Sequence, residues 1–452
     1  MKIVMIGVGS IGRTILKSLV DEGHTITVID EDQERVGRLT EQYDVFGVMG
    51  NGACMAIQRE AHMEEADLAL ALTGSDELNV FACLVARKLG VENTIARVRN
   101  PEYRQQIVDM KDELGISMIV NPERDTASEM YYLINLPPVA NMDRFAKGRA
   151  LLVEIVMEKG CALIGQTLAE LGRKLKTKVL ICAVQRGEEV FIPSGNFMIK
   201  KGDRIHFTAE AATLRDFLSE INLVTMQLKN IMIVGGNKTS YYLASELSKK
   251  KYNIKLIAND EAIAEELADL LPRVNVIHGN GAQHSLLLEE GLEAMDAFVA
   301  LTETDEENMV ISMFANKMKV KKTITQIRHD DLFGMLGELG IRNTVSPKDI
   351  VADRIISYIR ALANKRGSNV LTLYRVVDNR VEALEFLAKK NTKIYDIPLK
   401  ELNIKENCLI ACIIRKNDVL IPNGNTCIRV GDNVVVVTTH KNFDDLTDII
   451  AQ

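Results

Sequence analysis

The chain repeats itself at long range, and a repeat of this length dictates duplicated modules rather than one core. Lys2-Ile3-Val4-Met5-Ile6-Gly7 returns as Asn230-Ile231-Met232-Ile233-Val234-Gly235. Gly50-Asn51-Gly52-Ala53 returns as Gly279-Asn280-Gly281-Ala282, and Leu72-Thr73-Gly74-Ser75-Asp76-Glu77-Leu78-Asn79 as Leu301-Thr302-Glu303-Thr304-Asp305-Glu306-Glu307-Asn308. Two shorter segments also match: Ile192-Pro193-Ser194-Gly195-Asn196 with Ile421-Pro422-Asn423-Gly424-Asn425, and Lys201-Gly202-Asp203-Arg204 with Val430-Gly431-Asp432-Asn433. The order is large, small, large, small. Length alone, at about 150 residues per domain, suggests three domains. The repeat replaces them with four unequal modules, expected at 1–124, 140–222, 229–350 and 371–452.

The large module alternates short apolar runs with helical patterns. Residues 2–6 form an apolar run ending in glycine, and Ile11, Ile15, Leu16, Leu19 and Val20 then share one helical face. Further strands are expected at 25–29, 45–49, 68–72, 94–98 and 118–120. Strands alternating with helices of this length require parallel pairing with right-handed crossovers. The fold class is therefore α/β: two doubly wound, Rossmann-like parallel sheets, each followed by a small α+β domain. In the first small module strands are expected at 151–157, 178–184, 189–192 and 204–208, with helical segments near 167–171 and 213–221.

The loop Gly7-Val8-Gly9-Ser10-Ile11-Gly12 falls between strand and helix, where a dinucleotide fingerprint must lie. Gly7 allows the tight turn, Gly9 clears the backbone for a pyrophosphate, and Gly12 lets helix and sheet approach. The free N–H groups of the helix start then face phosphate. Asp30 closes the second strand near the expected acidic position. Its carboxylate suits both hydroxyls of an adenine ribose and would repel a 2′-phosphate, so NAD(H) is expected and NADP disfavoured. Thr73 and Gly74 follow the fourth strand at the carboxyl edge of the sheet, where such ligands sit. Ser75 and Asp76 equally suit a helix N-cap. Arg97 and Arg99 share one side of the fifth strand, and Arg97 is expected to reach phosphate.

The second copy departs from this pattern. Gly235 keeps the first glycine, but Asn237 and Ser240 replace the other two, and Ala258 stands at the acidic position with Asn259 and Asp260 after it. Lys238 adds a cation at the loop. This half is expected to bind a dinucleotide more weakly, if at all, and to prefer a phosphate-rich ligand such as ATP or ADP.

Composition narrows the function. Lys plus Arg is 55 and Asp plus Glu is 62, a formal charge of −7, without the basic field that drives non-specific nucleic-acid binding. The chain has no apolar run of about 18 residues, the length needed to span a membrane. The start is too short and glycine-interrupted for a signal peptide, so a cytoplasmic protein is expected. The seven cysteines are odd in number and scattered through apolar segments, as for buried thiols rather than a metal site; Cys408 and Cys412 are the closest pair. None of the seven histidines recurs at the aligned position of the other half. A dehydrogenase needs a proton donor beside the nicotinamide, and no convincing acid–base pair accompanies the loop. A nucleotide site without neighbouring chemistry points to sensing.

The chain resembles the Trk-type potassium uptake regulators, the TrkA family, built from tandem RCK domains. The resemblance rests on the Gly7–Gly12 loop, Asp30, Gly50-Asn51-Gly52-Ala53, the segment from Ala71 to Asn79, and the Ile192–Asn196 and Gly202-Asp203 pairs, and it covers essentially the whole chain. It implies that Gly7, Val8, Gly9, Ser10, Ile11, Gly12, Asp30, Asn51, Thr73, Gly74 and Arg97 line a nucleotide site, joined by Gly235 and Lys238 in the second copy. It further implies a regulatory subunit, not an enzyme. That subunit forms a homo-oligomeric ring, dimer or tetramer, at the inner face of the cell membrane beneath a potassium transporter, controlled by NAD(H) and by ATP or ADP. An NAD-dependent oxidoreductase and a free-standing nucleotide sensor are the alternatives.

Overall fold

In the computed structural model, the apolar runs pair as parallel strands. The structure describes residues 1–135, 141–145, 150–157, 160–210, 213–223, 228–329, 332, 336–337, 339–341, 343–364, 370–376, 380–389, 394–416, 418–440, 443 and 445–451. The expected module limits at residues 140 and 452 fall outside them. The described chain forms two compact units. One contains Met1–Asn135 and Leu228–Ile356, and the other Leu136–Gln227 and Ser357–Gln452.

The first lobe of the first unit runs β1 (Lys2–Ile6), α1 (Ser10–Asp21), β2 (Thr25–Asp30), α2 (Gln33–Gln42), β3 (Phe46–Met49), α3 (Met55–Glu60), β4 (Leu68–Ala71), α4 (Asp76–Lys88), β5 (Thr94–Arg97), α5 (Pro101–Asp109), β6 (Met118–Val120) and α6 (Pro122–Asn135). Its strands are all parallel, in the order β3-β2-β1-β4-β5-β6. This is the doubly wound order, with its switch point between β1 and β4. The central strands are buried on both faces, which explains why they read as unbroken apolar runs rather than alternating ones.

The second unit contains β7 (Asn141–Phe145), β8 (Ala150–Val156), α7 (Leu168–Lys174), β9 (Leu180–Arg186), β10 (Glu189–Phe191), β11 (Arg204–Glu210) and α8 (Leu214–Glu220). The strands form an antiparallel sheet ordered β10-β9-β11-β8-β7. Strand β7 was not anticipated from the sequence. The repeated Gly-Asp pair has a structural cause: the buried Asp203 carboxylate accepts from Arg186 Nε and Nη2, both at 2.8 Å, and from Lys200 N–H at 2.8 Å.

The second lobe of the first unit repeats the first: β12 (Asn230–Val234), α9 (Lys238–Ser248), β13 (Asn253–Ala258), α10 (Glu261–Leu270), β14 (Asn275–His278), α11 (His284–Glu289), β15 (Ala297–Ala300), α12 (Asp305–Lys317), β16 (Lys322–Gln326), β17 (Asn343–Val345) and the start of α13 (Pro347–Asn364), which from Ser357 belongs to the second unit. Its order, β14-β13-β12-β15-β16-β17, matches strand for strand. The second small sheet, from β18 (Val370–Val376), β19 (Val381–Leu387), β20 (Cys408–Arg415), β21 (Asp418–Leu420) and β22 (Asn433–Thr438), repeats the topology of the first. Arg415 holds Asp432 as Arg186 holds Asp203. Cys182 and Cys412 are buried in a core shared by these two sheets, and burial pushes both thiols up, Cys182 to about 12. Protonated thiols of this kind are poor nucleophiles.

The two lobes of the first unit are joined by helix α6. It follows the first sheet in sequence, yet Ala127, Met130, Leu133 and Ile134 pack against Ile231, Ile233, Leu243 and Leu247 of the second lobe. Polar contacts close the same seam. Asn121 Nδ2 donates to Tyr242 Oη at 3.2 Å, Tyr242 Oη donates to the Arg99 carbonyl at 3.1 Å, and Tyr252 Oη donates to Asn135 Oδ1 at 2.7 Å. Among the described residues no helix is long and apolar enough to cross a membrane.

Candidate functional site

The first glycine loop is open where a ligand's phosphates need it. Gly7 has φ +83°, and a Cβ there would come within 2.8 Å of Thr73 N, so only glycine fits the turn. A Cβ on Gly12 would lie 2.8 Å from the Gly7 carbonyl, so the third glycine serves helix–loop packing. Around Gly9 a Cβ would meet nothing within 4 Å. That glycine leaves room for something outside the fold. Gly9 is also the N-cap of α1, and no side chain accepts from the helix start. The first amides of a helix have no internal partner and carry the positive end of its dipole. The loop thus presents unshielded donors toward open space.

Asp30 is buried at the end of β2, beside this loop. Its Oδ2 accepts Val8 N–H at 2.9 Å, fixing the loop to the strand. Its Oδ1 accepts Asp32 N–H at 3.1 Å. Arg35, which the sequence reading did not single out, places Nη1 3.0 Å from both oxygens. The signal for it was present: an arginine in the first turn of α2 faces back toward the strand end that precedes the helix.

The segment from Thr73 to Asn79 serves largely as scaffold. Asn79 is fully buried. Its Oδ1 accepts Thr73 N–H and the Thr73 hydroxyl, both at 2.8 Å, and its Nδ2 donates to the Thr73 and Arg97 carbonyls at 3.2 and 3.0 Å. Ser75 caps α4 through Leu78 N–H, and Asp76 Oδ2 accepts Arg99 N–H at 2.7 Å and Asn100 N–H at 2.8 Å. The arrangement ties the exits of β4 and β5 together. Thr73 therefore turns its hydroxyl inward, and the Gly74 carbonyl accepts from the Arg99 guanidinium. Asn51 is exposed, and its Oδ1 accepts Ala53 N–H at 2.8 Å in a local turn.

Arg97 is largely buried at the end of β5, with Nη2 3.8 Å from Glu123 Oε1; Arg99 Nη1 is 3.9 Å from the same oxygen. Burial draws the Arg97 guanidinium below its usual value, and its Nε has no partner among the described residues. Ser10, Ile11, Arg13 and Arg97 line a cavity of about 530 Å3, together with Gln326, Arg328 and Lys348 of the second lobe. The structure thus brings the helix start and Arg97 to one cavity. Asp30, Asn51, Thr73 and Gly74 are not part of its lining.

The second loop keeps the scaffold and fills the space. Asn308 repeats Asn79, accepting Thr302 N–H at 2.7 Å and donating to the Thr302 and Gln326 carbonyls. Asp305 repeats Asp76, accepting Arg328 and His329 N–H, both at 2.9 Å. At Gly235 a Cβ would lie 2.2 Å from the Leu301 carbonyl. Asn237, however, caps α9: its Oδ1 accepts Ser240 N–H at 3.1 Å and its Nδ2 donates to the Leu301 carbonyl at 2.6 Å. Ala258 and Ile263 close on Gly236, where a Cβ would lie 2.9 and 3.1 Å from them. Asp260 is used as the cap of α10 and accepts Ile263 N–H. Lys238 is exposed, and its charge helps hold down the Glu77 carboxyl of the first lobe. No group of three or more His, Cys, Asp or Glu among the described residues is placed to hold a metal.

Comparison with known proteins gives a consistent picture. The TrkA-N domain model matches residues 3–122 and 231–347, and the TrkA-C domain model matches 152–222 and 383–451. The Trk system potassium uptake protein TrkA homolog 1 of Methanosarcina mazei is 29% identical over 96% of this chain and 97% of its own length. The Trk system potassium uptake protein TrkA of Haemophilus influenzae is 28% identical over 98% of this chain and 96% of its own length. Among solved structures, the GsuK channel bound to NAD has a TM-score of 0.62 at 19% identity, covering 97% of this chain and 76% of that one, which shows the shared fold. The chain belongs to the TrkA family, with its TrkA-N and TrkA-C domains each present twice in alternation.

Proposed function

We propose that this protein is the nucleotide-binding regulatory subunit of a potassium uptake system, and that occupancy of the first lobe is its signal. The observation that carries the reading is the open start of α1: uncapped amides, clear space at Gly9, and a buried acid at Asp30 beside them. These features suit the diphosphate and adenosine of NAD(H), with ADP or ATP as ligands sharing that moiety. Relatives known as Trk potassium uptake proteins over nearly the full chain support the transport role, and the NAD-bound GsuK channel, a neighbour in fold, supports the ligand class.

The proposed site comprises Gly7, Val8, Gly9, Ser10, Ile11, Gly12, Asp30, Asn51, Thr73, Gly74 and Arg97. Gly235 and Lys238 belong to it only as the second lobe's contribution. Bound nucleotide is an effector and not a reactant. It acts by preferring one arrangement of the subunit over another, and a preference of about 1.4 kcal/mol shifts that balance tenfold. The partner is a membrane potassium transporter, met by a homo-oligomer of this chain at the cytoplasmic face; nucleic acid is not a partner. The test is potassium flux into vesicles carrying the transporter, with and without this protein and NADH, NAD, ATP or ADP. Nucleotide-dependent flux supports the proposal. Flux indifferent to every nucleotide, or no binding of any of them, would end it.

A further inference from the structure

Every acceptor position of the Asp30 carboxylate already has a donor. A carboxylate offers about four lone-pair sites. Val8 N–H and Arg35 Nη1 take Oδ2 at 2.9 and 3.0 Å, and Asp32 N–H and the same Nη1 take Oδ1 at 3.1 and 3.0 Å. Arg35 Nη2 also lies 3.2 Å from Asp32 Oδ2. The two backbone donors belong to the glycine loop and to the start of α2, and neither can leave without unfolding them. Arg35 can: its side chain is 37% exposed, against 9% for Asp30.

A ribose 2′,3′-diol needs acceptor sites on that carboxylate, and gains them only where Nη1 now sits. Arg35 is therefore an internal competitor of the diol. Once displaced, its guanidinium stays tethered to the first turn of α2, beside the ribose edge. A planar fork of donors there matches a 2′-phosphate. In the second lobe both members of the pair are replaced together: Ala258 stands for Asp30 and Ile263 for Arg35, and the two close on Gly236 as an apolar contact.

Resting on the nucleotide reading of the first lobe, we propose that Arg35 is a specificity-determining residue that weakens diol recognition by Asp30 and admits 2′-phosphorylated adenine dinucleotides. The site then accepts NADP(H) as well as NAD(H), contrary to the expectation drawn from Asp30 alone.

Calorimetric titration of the full chain with NADH and with NADPH tests this. The parent protein is expected to bind the two within about tenfold of each other. Arg35→Ala should bind NADH as well or better and NADPH at least about tenfold more weakly, since a hydrogen bond to a charged group contributes about 1.5–3 kcal/mol. Arg35→Gln, which keeps a neutral donor beside Asp30, should show the same change in ratio and guards against simple misfolding. An unchanged NADH-to-NADPH ratio in both variants would overturn the role of Arg35. So would a parent protein that rejects NADPH by more than about a hundredfold. Failure of the parent to bind either dinucleotide would instead strike the nucleotide reading itself.

Discussion

In the first lobe the helix after the glycine loop begins at Gly9 with no side chain on its amides; in the second it begins at Asn237, which holds Ser240 N–H itself. Around this difference the lobes agree closely. Asn79 and Asn308 both accept the threonine N–H and donate to two carbonyls, Asp76 and Asp305 both accept two backbone N–H groups, and the strand orders are identical. At the rim of the loop the copies differ: Asn237 stands for Gly9, Ala258 for Asp30 and Ile263 for Arg35. A fold held by buried side chains can change its loop rim without losing its shape, because the groups that close the lobe are not those at the rim.

Exchanging the acidic position between lobes would break this comparison most severely. Ala258 is fully buried and already crowds Gly236. Ala258→Asp places a charge there without Arg35, and should cost about 3–5 kcal/mol in denaturant unfolding. Asp30→Ala leaves Val8 and Asp32 N–H without their acceptor, should cost about 1–3 kcal/mol, and should abolish tight NADH binding. If Ala258→Asp were as stable as the parent and gained NADH binding, the second rim would be a dormant site rather than a filled one.

A smaller effect should separate scaffold from site. Asn79→Ala and Asn308→Ala each strand several buried backbone groups and should cost about 2–3 kcal/mol, equal within about 0.5 kcal/mol. Only the first should also weaken NADH binding. Smaller still is Gly9→Ala, where open space predicts a stability change within about 0.5 kcal/mol. NADH affinity should nevertheless fall roughly tenfold, because an added methyl intrudes on the phosphate position at a cost of about 1–3 kcal/mol. Gly12→Ala, against the Gly7 carbonyl, should lower the melting temperature as well.

The doubly wound fold was legible because its code is local. Apolar runs ending in glycine, spaced by helical patterns, allow few topologies, and the repeat states each twice. Legible for the same reason were the departures at Asn237 and Ala258. What escaped was held by contacts distant in sequence or set by helix phase. Helix α6 carries no mark that Met130 and Leu133 belong to the second lobe's core, since an apolar face does not name its partner. Strand β7 lies at the edge of its sheet and, among the described residues, pairs with β8 alone. Arg35 sits five residues beyond Asp30, and only the turn between β2 and α2 brings it back onto the carboxylate. The position of Thr73 at the sheet edge is legible, whereas the bond of its hydroxyl to Asn79 is set by the helix that follows.

The finest difference between the lobes is electrostatic. The Glu77 carboxyl is held at about 2, first by the Tyr103 hydroxyl at 2.6 Å, then by its own backbone N–H and the Ser75 hydroxyl, and last by the charge of Lys238 in the other lobe. Tyr103 is correspondingly pushed up to about 12. The second lobe has Leu332 where the first has Tyr103, so Glu306 lacks a phenol donor there. A depressed acid contributes its share of stability above its ordinary range and loses it as pH falls toward 2. Glu77 is fully exposed, so the measurable quantity is its titration, followed by carbon-detected NMR. Tyr103→Phe should raise the midpoint from about 2 toward the ordinary carboxylate range. Lys238→Ala should raise it less, and raising it at all requires the start of α9 to stand beside the first lobe's rim. If Lys238→Ala moved Glu77 further than Tyr103→Phe did, charge from the neighbouring lobe would dominate over the local phenol, and the rim of the first lobe would be a joint construction of both copies.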